Sequence, residues 1–271
     1  MSSKKRRDIP DYQLPIIETH FHLDMLKAFS ADEIIEKCRT HNIEKMITIS
    51  TSEENFDTVI ELSHRYPELY CTQGIHPHDG SEWNQEAREH IKRNLDNKNN
   101  TKIIAIGEIG LDYYYTKSPR EDQIKSFEEQ LQLACDYNLP VVIHTRDADE
   151  DTISVLKNFS TKLSKKGVIH SFTSGLDLCD FCLKEGFSIG FNGIITFKSA
   201  QNVRDALNIV PPERILLETD SPFLTPEPYR GVENAPYYLP FVAEKIAEVK
   251  GLSVEKILDI TYQNAKNLFH L

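Results

Sequence analysis

Short apolar runs recur along this chain, and most are followed by a longer amphipathic segment. An unbroken apolar run bounded by glycine or polar residues predicts a parallel strand that is buried on both faces. The clearest example is Ile103 to Ile106, which leads into Gly107 and Glu108. The predicted strands cover residues 16–22, 46–49, 69–73, 103–106, 141–144, 167–170, 187–190 and 214–220.

The segments between these runs have the periodicity of amphipathic helices. Ile124, Phe127 and Leu131, for example, are spaced by three and four residues and form one apolar face. Ser30 and Glu33 match a capping box, which predicts the start of a helix. The predicted helices cover residues 30–41, 51–66, 84–95, 118–134, 151–163, 202–209, 238–249 and 254–269.

This alternation of strands and helices predicts an α/β protein with a parallel sheet. Eight units predict closure into a single (β/α)8 TIM barrel over residues 14–271, with extra C-terminal helices. An open, doubly wound sheet is the alternative. The barrel is favoured because no glycine-rich phosphate loop follows the first predicted strand and because polar residues recur at the carboxyl ends of strands. In a barrel those ends share one mouth.

Charge and hydropathy narrow the choice of compartment and partners. The formal net charge is −11, and no apolar run approaches the roughly 18 residues that cross a bilayer. No apolar stretch follows the first residues, as it would in a signal peptide. We therefore expect a cytoplasmic protein without membrane contact. Because nucleic-acid binders are usually basic, any contact with a polyanion must be local, through metal ions and a few side chains.

The N-terminal segment, residues 1–13, carries a basic run formed by Lys4, Lys5, Arg6 and Arg7. We expect this segment to be a disordered, solvated tail. Such a run also occurs as a nuclear localisation signal or a polyanion contact, so a nuclear location stays open.

The cysteines favour a reducing compartment. There are five of them, an odd number, and they lack the spacing of a disulfide framework. Cys179 and Cys182 match C-x-x-C, but no second pair lies at zinc-site spacing and the segment is predicted to be helical. We expect both to be buried as small hydrophobic residues.

Six potential metal ligands lie at the carboxyl ends of predicted strands. Four imidazoles suit Zn or Mn, and two carboxylates also suit Mg. One tetrahedral ion does not use six ligands, so we infer two divalent ions per chain, bridged by Glu108. Such a pair can generate a nucleophile and stabilise both oxygens of a displacement at phosphorus. The six residues are His20, His22, Glu108, His144, His170 and Asp220.

Three more residues lie near the same predicted mouth and can bind substrate. Arg146 follows His144 by two residues and can present a guanidinium to a phosphate oxygen. His76 and His78 follow the third strand and can add hydrogen-bond donors. A purely structural role is the alternative for all three.

The motifs that carry these residues resemble those of the TatD family of metal-dependent deoxyribonucleases, over about residues 16–269. The resemblance is specific in content and order. The motifs are Gly74-Ile-His-Pro-His78, Gly107-Glu-Ile-Gly-Leu-Asp-Tyr-Tyr114, Pro140-Val-Val-Ile-His-Thr-Arg146, Glu218-Thr-Asp-Ser-Pro222, Tyr229-Arg-Gly-Val-Glu-Asn-Ala-Pro236, Val242-Ala-Glu-Lys-Ile-Ala247 and Asn264-Ala-Lys-Asn-Leu-Phe269.

The resemblance implies an amidohydrolase-type barrel that trims single-stranded DNA from the 3′ end by a two-metal mechanism, in DNA repair or degradation. It implies that His20, His22 and Asp220 hold one metal and that His144 and His170 hold the other. The two carboxylates, Glu108 and Asp220, would then serve catalysis as well as metal binding. We expect the enzyme to act as a monomer.

One position departs from the family pattern, which usually begins Asp-x-His-x-His. This chain has Glu18 there. Residues 18 and 20 share a face of a regular strand, so we expect Glu18 to orient His20 or His22, with direct metal binding as the alternative. The departure from His-Cys-Phe to His170-Ser171-Phe172 is expected to be minor.

Other activities remain open at the level of sequence. A D-aminoacyl-tRNA deacylase or another metal-dependent ester or amide hydrolase would use the same ligand set on a carbonyl carbon. Amidohydrolases of small cyclic amides often carry a lysine where this chain has Glu108. A non-catalytic scaffold is the third possibility, and the complete ligand set argues against it.

Overall fold

The strands of the computed structural model, which describes residues 6–271, form one parallel sheet in which every strand pairs with its neighbour in sequence. Each strand is followed by a crossover that lies on the outside of the sheet, as parallel pairing requires. The strands are β1 (Ile16–Phe21), β2 (Ile43–Thr48), β3 (Leu69–Gln73), β4 (Ile103–Asp112), β5 (Val141–Arg146), β6 (Gly167–Ile169), β7 (Ser188–Phe191) and β8 (Ile215–Leu217).

The first and last strands meet at a seam that nearly closes the barrel. Phe21 forms a parallel bridge with Ser221, and the His22 N–H donates to the carbonyl of Ser221 at 2.8 Å. The Asp220 N–H donates to the carbonyl of His20 at 2.9 Å. The prediction of a (β/α)8 barrel is therefore confirmed, and the open-sheet alternative is wrong.

Nine helices of the described residues surround the sheet. The Ser30 capping box is present, since Ser30 Oγ accepts from the Glu33 N–H while the Glu33 carboxylate accepts from the Ser30 N–H. The helices are α1 (Ala31–Thr40), α2 (Phe56–Arg65), α3 (Gln85–Asp96), α4 (Arg120–Tyr137), α5 (Asp149–Phe159), α6 (Leu176–Glu185), α7 (Gln201–Ile209), α8 (Leu239–Lys250) and α9 (Val254–Phe269).

The extra C-terminal helix, α9, covers one end of the barrel. A cluster of buried apolar residues joins single positions from several strands, including Val142 and Val168, to Ala265 and Phe269 of α9. Val142 and Val168 lie two residues before His144 and His170 on the same strands. This apolar layer therefore forms the floor beneath the polar mouth.

The largest departure from the predicted elements concerns β4. The strand runs to Asp112 and does not end near Gly107, so Glu108 lies inside it and not at its end. The alternation of Ile109 and Leu111 extends the buried strand, after a register irregularity between Ile106 and Ile109. His144 likewise lies inside β5, which continues to Arg146.

The described part of the N-terminal segment lies against the barrel. Arg7 forms an ion pair with Glu244 of α8, and the Tyr12 hydroxyl donates to the same carboxylate at 2.9 Å. The Tyr229 hydroxyl donates to the Arg7 carbonyl at 2.9 Å. The side chains or backbone of these residues therefore have partners on the barrel, while the expected disorder of the segment over residues 1–13 stays a prediction.

Two further sequence expectations concern the N-terminus and the cysteines. Lys4 and Lys5 lie outside the described residues, so the nature of that part of the basic run stays a prediction.

Cys179 and Cys182 are free thiols, fully buried on α6, as expected for packing residues. Among residues 6–271, every helix is too short or too polar to cross a membrane.

Candidate metal centre

The six predicted ligands converge at the mouth of the barrel. Their donor atoms, together with those of His76, form three groups in which every atom lies within 4.8 Å of the others. That separation is close to twice the length of a metal–nitrogen or metal–oxygen bond, about 2.0–2.2 Å. The groups are His20 with His22 and Glu108, His20 with His170 and Asp220, and His76 with Glu108 and His144.

The carboxylate of Glu108 stands between two sets of imidazoles. Its Oε2 atom lies 3.4 Å from His20 Nε2 and 3.9 Å from His22 Nε2. Its Oε1 atom lies 2.7 Å from His170 Nε2 and 3.0 Å from His144 Nδ1. One side chain therefore presents a separate oxygen to each set, which is the arrangement that a bridging ligand requires.

The same surroundings hold the two carboxylates in their charged form. Burial alone would raise the pKa of Glu108, but the nearby His170, His76 and His20 and the hydrogen bond from His144 hold it well below its usual range. Burial also opposes ionisation of Asp220, yet its contact with His22 and the charges of His20 and His170 lower its pKa. Both groups are therefore anionic at neutral pH.

Several buried nitrogen atoms at this centre have no hydrogen-bond partner among the described residues. They are both ring nitrogens of His20 and Nδ1 of His170. Burial, reinforced by the neighbouring His170, lowers the pKa of His20 to about 4, so this imidazole is neutral and has a lone pair to offer. A neutral imidazole beside ionised carboxylates and further histidines belongs to a donor set that fits divalent Zn, Mn or similar ions.

His170 lies closer to His20 than the predicted division of ligands between two metals implies. The rings of His20 and His170 are stacked, with centroids 3.8 Å apart and an interplanar angle of 4°. His170 also groups with Asp220. The division into one set with Asp220 and another with His144 and His170 stays a prediction.

The two histidines that were expected to bind substrate lie at different depths. His76 is nearly buried, with Nε2 3.4 Å from Glu108 Oε1, and it belongs to one of the potential ligand groups. His78 is partly exposed, and its Nε2 lies 3.0 Å from Asp112 Oδ2. Their predicted substrate contacts remain untested.

Asp112, which was not among the residues predicted from sequence, contacts two histidines of the mouth, His78 and His144. Its Oδ2 atom lies 3.0 Å from His78 Nε2 and 3.1 Å from His144 Nε2. Its Oδ1 atom accepts from the N–H groups of Tyr114 and Tyr115, both at 3.0 Å. A proton shared with Asp112 fixes the His144 tautomer and leaves Nδ1 directed at the centre, as carboxylate partners of metal-binding histidines do.

A signal for Asp112 was present in the sequence. In the second half of β4, Gly110 pairs with His144 and Asp112 pairs with Arg146. Paired residues of neighbouring strands lie on the same face, and positions 110 and 112 follow a period of two after the register irregularity. The alternation that sets Gly110 beside His144 therefore also directs Asp112 towards the centre.

Replacing Asp112 by asparagine should lower metal affinity and activity by about 10–100-fold, the range typical of carboxylates that orient metal ligands. An amide has only one acceptor atom, so it cannot serve two imidazoles and two backbone N–H groups at once. Metal titration and kcat/KM measure the effect. Asp136→Asn, at an exposed position of α4, is the matched control, and equal behaviour of the two variants would contradict the assignment.

Glu18 contacts the backbone and not an imidazole. Its Oε1 atom accepts from the N–H groups of His20 at 2.9 Å and Thr219 at 3.0 Å, and the residue is fully buried. A register irregularity between Glu18 and Phe21 breaks the period of two on which its expected orientation depended. Burial raises the pKa of Glu18 to about 8, although these hydrogen bonds oppose the shift. Glu18 therefore contacts the candidate ligand His20 through the main chain of β1 and not through the imidazole ring.

The mouth above these ligands is a cavity of about 720 Å³. Arg146 lines it, with the guanidinium carbon 3.9 Å from the ring centroid of Tyr114 and 4.9 Å from that of Tyr115. Within residues 6–271, no carboxylate lies within ion-pair distance of Arg146. Lys117 adds a second cation to the lining.

Comparisons with known proteins identify the family of the chain. Residues 17–270 match the family described as TatD related DNase. The uncharacterized metal-dependent hydrolase YabD of Bacillus subtilis is 36% identical over 94% of this chain and 99% of its own length. The 3′-5′ ssDNA/RNA exonuclease TatD of Erwinia tasmaniensis is 34% identical over 89% of this chain and 93% of its own.

A solved structure extends the similarity to the fold. The crystal structure of YjjV, a TatD homolog from Escherichia coli, superposes with a TM-score of 0.88 at 31% identity. The alignment covers 94% of this chain and 98% of YjjV. The match of the family over nearly the whole chain, together with the convergent ligands, confirms the expected resemblance: the chain belongs to the TatD family of metal-dependent hydrolases.

Proposed function

We propose that this protein is a deoxyribonuclease that removes nucleotides from the 3′ end of single-stranded DNA. The observation that carries the proposal is the division of the two Glu108 oxygens between two sets of imidazoles, at distances of 2.7–3.9 Å. The name of the Erwinia relative, a 3′-5′ ssDNA/RNA exonuclease, supports the choice of substrate. DNA is thus the proposed partner, and repair or degradation of DNA the proposed context.

The cofactors in this proposal are two divalent ions per chain, of Mg, Mn or Zn. His20, His22 and Asp220 would hold one ion, His144 and His170 the other, and Glu108 both. When bound, such a pair activates water and balances the charge that develops on the phosphoryl oxygens. The contribution of this chain is the set of imidazoles and ionised carboxylates that would hold the two ions.

Asp220 is the carboxylate best placed to take a proton from the attacking water. Its side chain is 14% exposed, whereas that of Glu108 is 4% exposed, and it lines the cavity. Its lowered pKa keeps it ionised and therefore ready to accept. In the proposed reaction a bond forms between water oxygen and phosphorus, and the bond from phosphorus to the 3′ oxygen of the shortened strand breaks. The water proton passes to Asp220, and a proton from solvent converts the leaving oxygen into a 3′ hydroxyl.

Arg146 is proposed to bind a phosphate oxygen, and a lysine should replace it poorly. The planar guanidinium offers paired donors and stacks on the tyrosine rings, neither of which an ammonium reproduces. We expect Arg146→Lys to lower kcat/KM on DNA while leaving the dependence of kcat/KM on salt concentration unchanged. Arg146→Ala should also reduce the slope of log kcat/KM against log salt by about one.

The control for Arg146 is Arg120→Lys. Arg120 also lies over a tyrosine ring, 4.5 Å from the centroid of Tyr113, but it does not line the cavity at the metal centre. It pairs with Asp151, so its charge is already engaged. Wild-type kinetics and salt dependence in both Arg146 variants would assign Arg146 to a structural role.

The direct test of the proposed function is a comparison of substrates with one metal-loaded preparation. Single-stranded DNA labelled at either end, RNA, D-aminoacyl-tRNA and a small cyclic amide would be assayed in parallel. We expect nucleotide release from the 3′ end of DNA to be the fastest reaction. Faster deacylation of the tRNA would favour the alternative ester hydrolase, and no hydrolysis of any substrate would favour a scaffold.

Two finer points belong to the same proposal. We propose that the protein acts as a monomer, which sedimentation would test. We also propose a cytoplasmic location, supported by five free cysteines. Fluorescence imaging of the tagged chain would distinguish this from the nuclear location that a basic N-terminus can direct.

A further inference from the structure

The mouth of the barrel has two chemically different sides. Four apolar residues line it after β1, β7 and β8, and cationic and aromatic residues line it after β4 and β5. Because the strands follow sequence order around a barrel, these two arcs lie on opposite sides of the metal centre. We call the first arc the apolar wall; it consists of Met25, Ile194, Phe223 and Leu224.

Phe223 is the most exposed member of the apolar wall. Its residue surface is 52% exposed, an unusual position for a large apolar side chain, and its ring lies edge-on to His22 with centroids 6.3 Å apart. The residue follows Asp220 by three positions, so the ring stands directly beside the ligands. Packing within the chain does not account for this exposure.

The backbone under Phe223 is fixed. Its N–H donates to the carbonyl of Asp220 at 2.9 Å. Its carbonyl accepts from the side-chain amide of Asn234, which is fully buried and also donates to the carbonyl of Thr219 at 2.9 Å. The exposed ring is therefore presented from a rigid turn, as a preorganised contact surface would be.

The loops that form the apolar wall are interlocked. A Cβ atom on Gly193 would lie 1.9 Å from the carbonyl oxygen of Leu224, so the β7 loop touches the β8 loop with only a glycine between them. Ile194 follows Gly193 directly. This close approach joins the side chains after β7 and β8 into one surface.

Opposite the apolar wall, Lys117 and Arg146 place two cations in a chain whose net charge is −11. The two sides therefore fit a ligand that has an aromatic or apolar face at one part and an anionic group at another. A nucleotide has this division, because its base stacks on aromatic and apolar surfaces while its phosphate binds cations. The cavity of about 720 Å³ falls in the range of small-ligand pockets.

We propose that the apolar wall, through Phe223, binds the base of the terminal nucleotide while Lys117 and Arg146 bind the phosphate backbone. This inference rests on the proposed nuclease function and adds a specificity site to it. It makes the base, and not only the phosphodiester, part of what the enzyme recognises. It also predicts tolerance of base identity, because every base has a face that can stack.

The experiment compares two substrates and four proteins. The substrates are a 5′-labelled single-stranded oligonucleotide and the same strand with an abasic 3′-terminal residue. The proteins are the wild type, Phe223→Ala, Phe223→Tyr and the control Ile209→Ala. Ile209 is 47% exposed at the end of α7, outside the lining of the cavity. KM and kcat for removal of the terminal residue are measured for each pair.

We expect Phe223→Ala to raise KM on the normal strand by about 5- to 140-fold, which is the ~1–3 kcal/mol of base–aromatic stacking. Phe223→Tyr should restore most of the affinity, and Ile209→Ala should match the wild type. On the abasic strand the KM of the wild type should rise by a similar factor. The KM of Phe223→Ala should be little higher on the abasic strand than on the normal strand.

The outcomes separate this inference from the proposed function. If the wild type releases nucleotides from the normal strand with an unchanged KM on the abasic strand, the base-binding role of the apolar wall is wrong and the nuclease function stands. If the wild type hydrolyses neither strand, the nuclease function fails and this inference fails with it. The abasic comparison uses the unmodified protein, so it does not depend on how any variant folds.

Discussion

Replacing Glu108 by glutamine should abolish hydrolysis while leaving the barrel folded. The carboxylate is the only group that presents one oxygen to His20 and the other to His170, at 3.4 and 2.7 Å among the described residues. An amide has no charge and only one oxygen, so it cannot hold an ion on each side. We expect a loss of at least about 1,000-fold, as for groups on which a catalytic unit depends.

The Glu108 prediction is checked by activity, bound metal per chain and thermal unfolding of the same samples. Glu129→Gln is the matched control, since Glu129 accepts from Trp83 Nε1 at 2.9 Å away from the metal centre. Wild-type activity of Glu108→Gln, after its metal has been stripped and reloaded, would rule out a mechanism in which Glu108 bridges two ions.

The double substitution of His144→Ala and His170→Ala should also abolish hydrolysis, and it should lower the number of divalent ions bound per chain. Both imidazoles face Oε1 of Glu108, at 3.0 and 2.7 Å. Their removal takes away one side of the centre and leaves His20 and His22 on the other. The measurement is metal content after dialysis against limiting metal, together with activity.

Two histidines outside the mouth provide the control for this double variant. His64 and His270 are exposed, and neither belongs to the potential ligand groups of the described residues. Their joint replacement by alanine should leave metal content and activity unchanged. If the His144 and His170 double variant bound as much metal as this control, the predicted division of the ligands would be wrong.

The barrel was predictable from sequence because its signal is repeated. Each buried strand is an apolar run such as Val141 to Ile143, and each crossover is an amphipathic helix, so one misplaced boundary does not change the alternation. The convergence of the candidate ligands could be predicted because histidines and carboxylates are costly in such runs without a partner. These histidines and carboxylates lie at the carboxyl ends of several predicted strands, and those ends meet at one end of a barrel.

What the sequence did not predict are contacts that depend on irregular backbone or on distant residues. Glu18 was assigned to the imidazoles by a period of two that the register irregularity in β1 breaks. Asp112 was missed because β4 was taken to end before it. The contact of Tyr12 with Glu244 joins residues more than 200 positions apart, and no local pattern encodes such a pair.

The seam between β1 and β8 has a consequence for the biosynthesis of the enzyme. His20 and His22 come from the first strand, whereas Asp220 lies just past the last one, and backbone hydrogen bonds join the two at this place. A growing chain therefore carries these two histidines for most of translation without Asp220. Because chains emerge from the N-terminus, the two edges of the barrel, and the predicted ligands they carry, can meet only after residue 220 has been made.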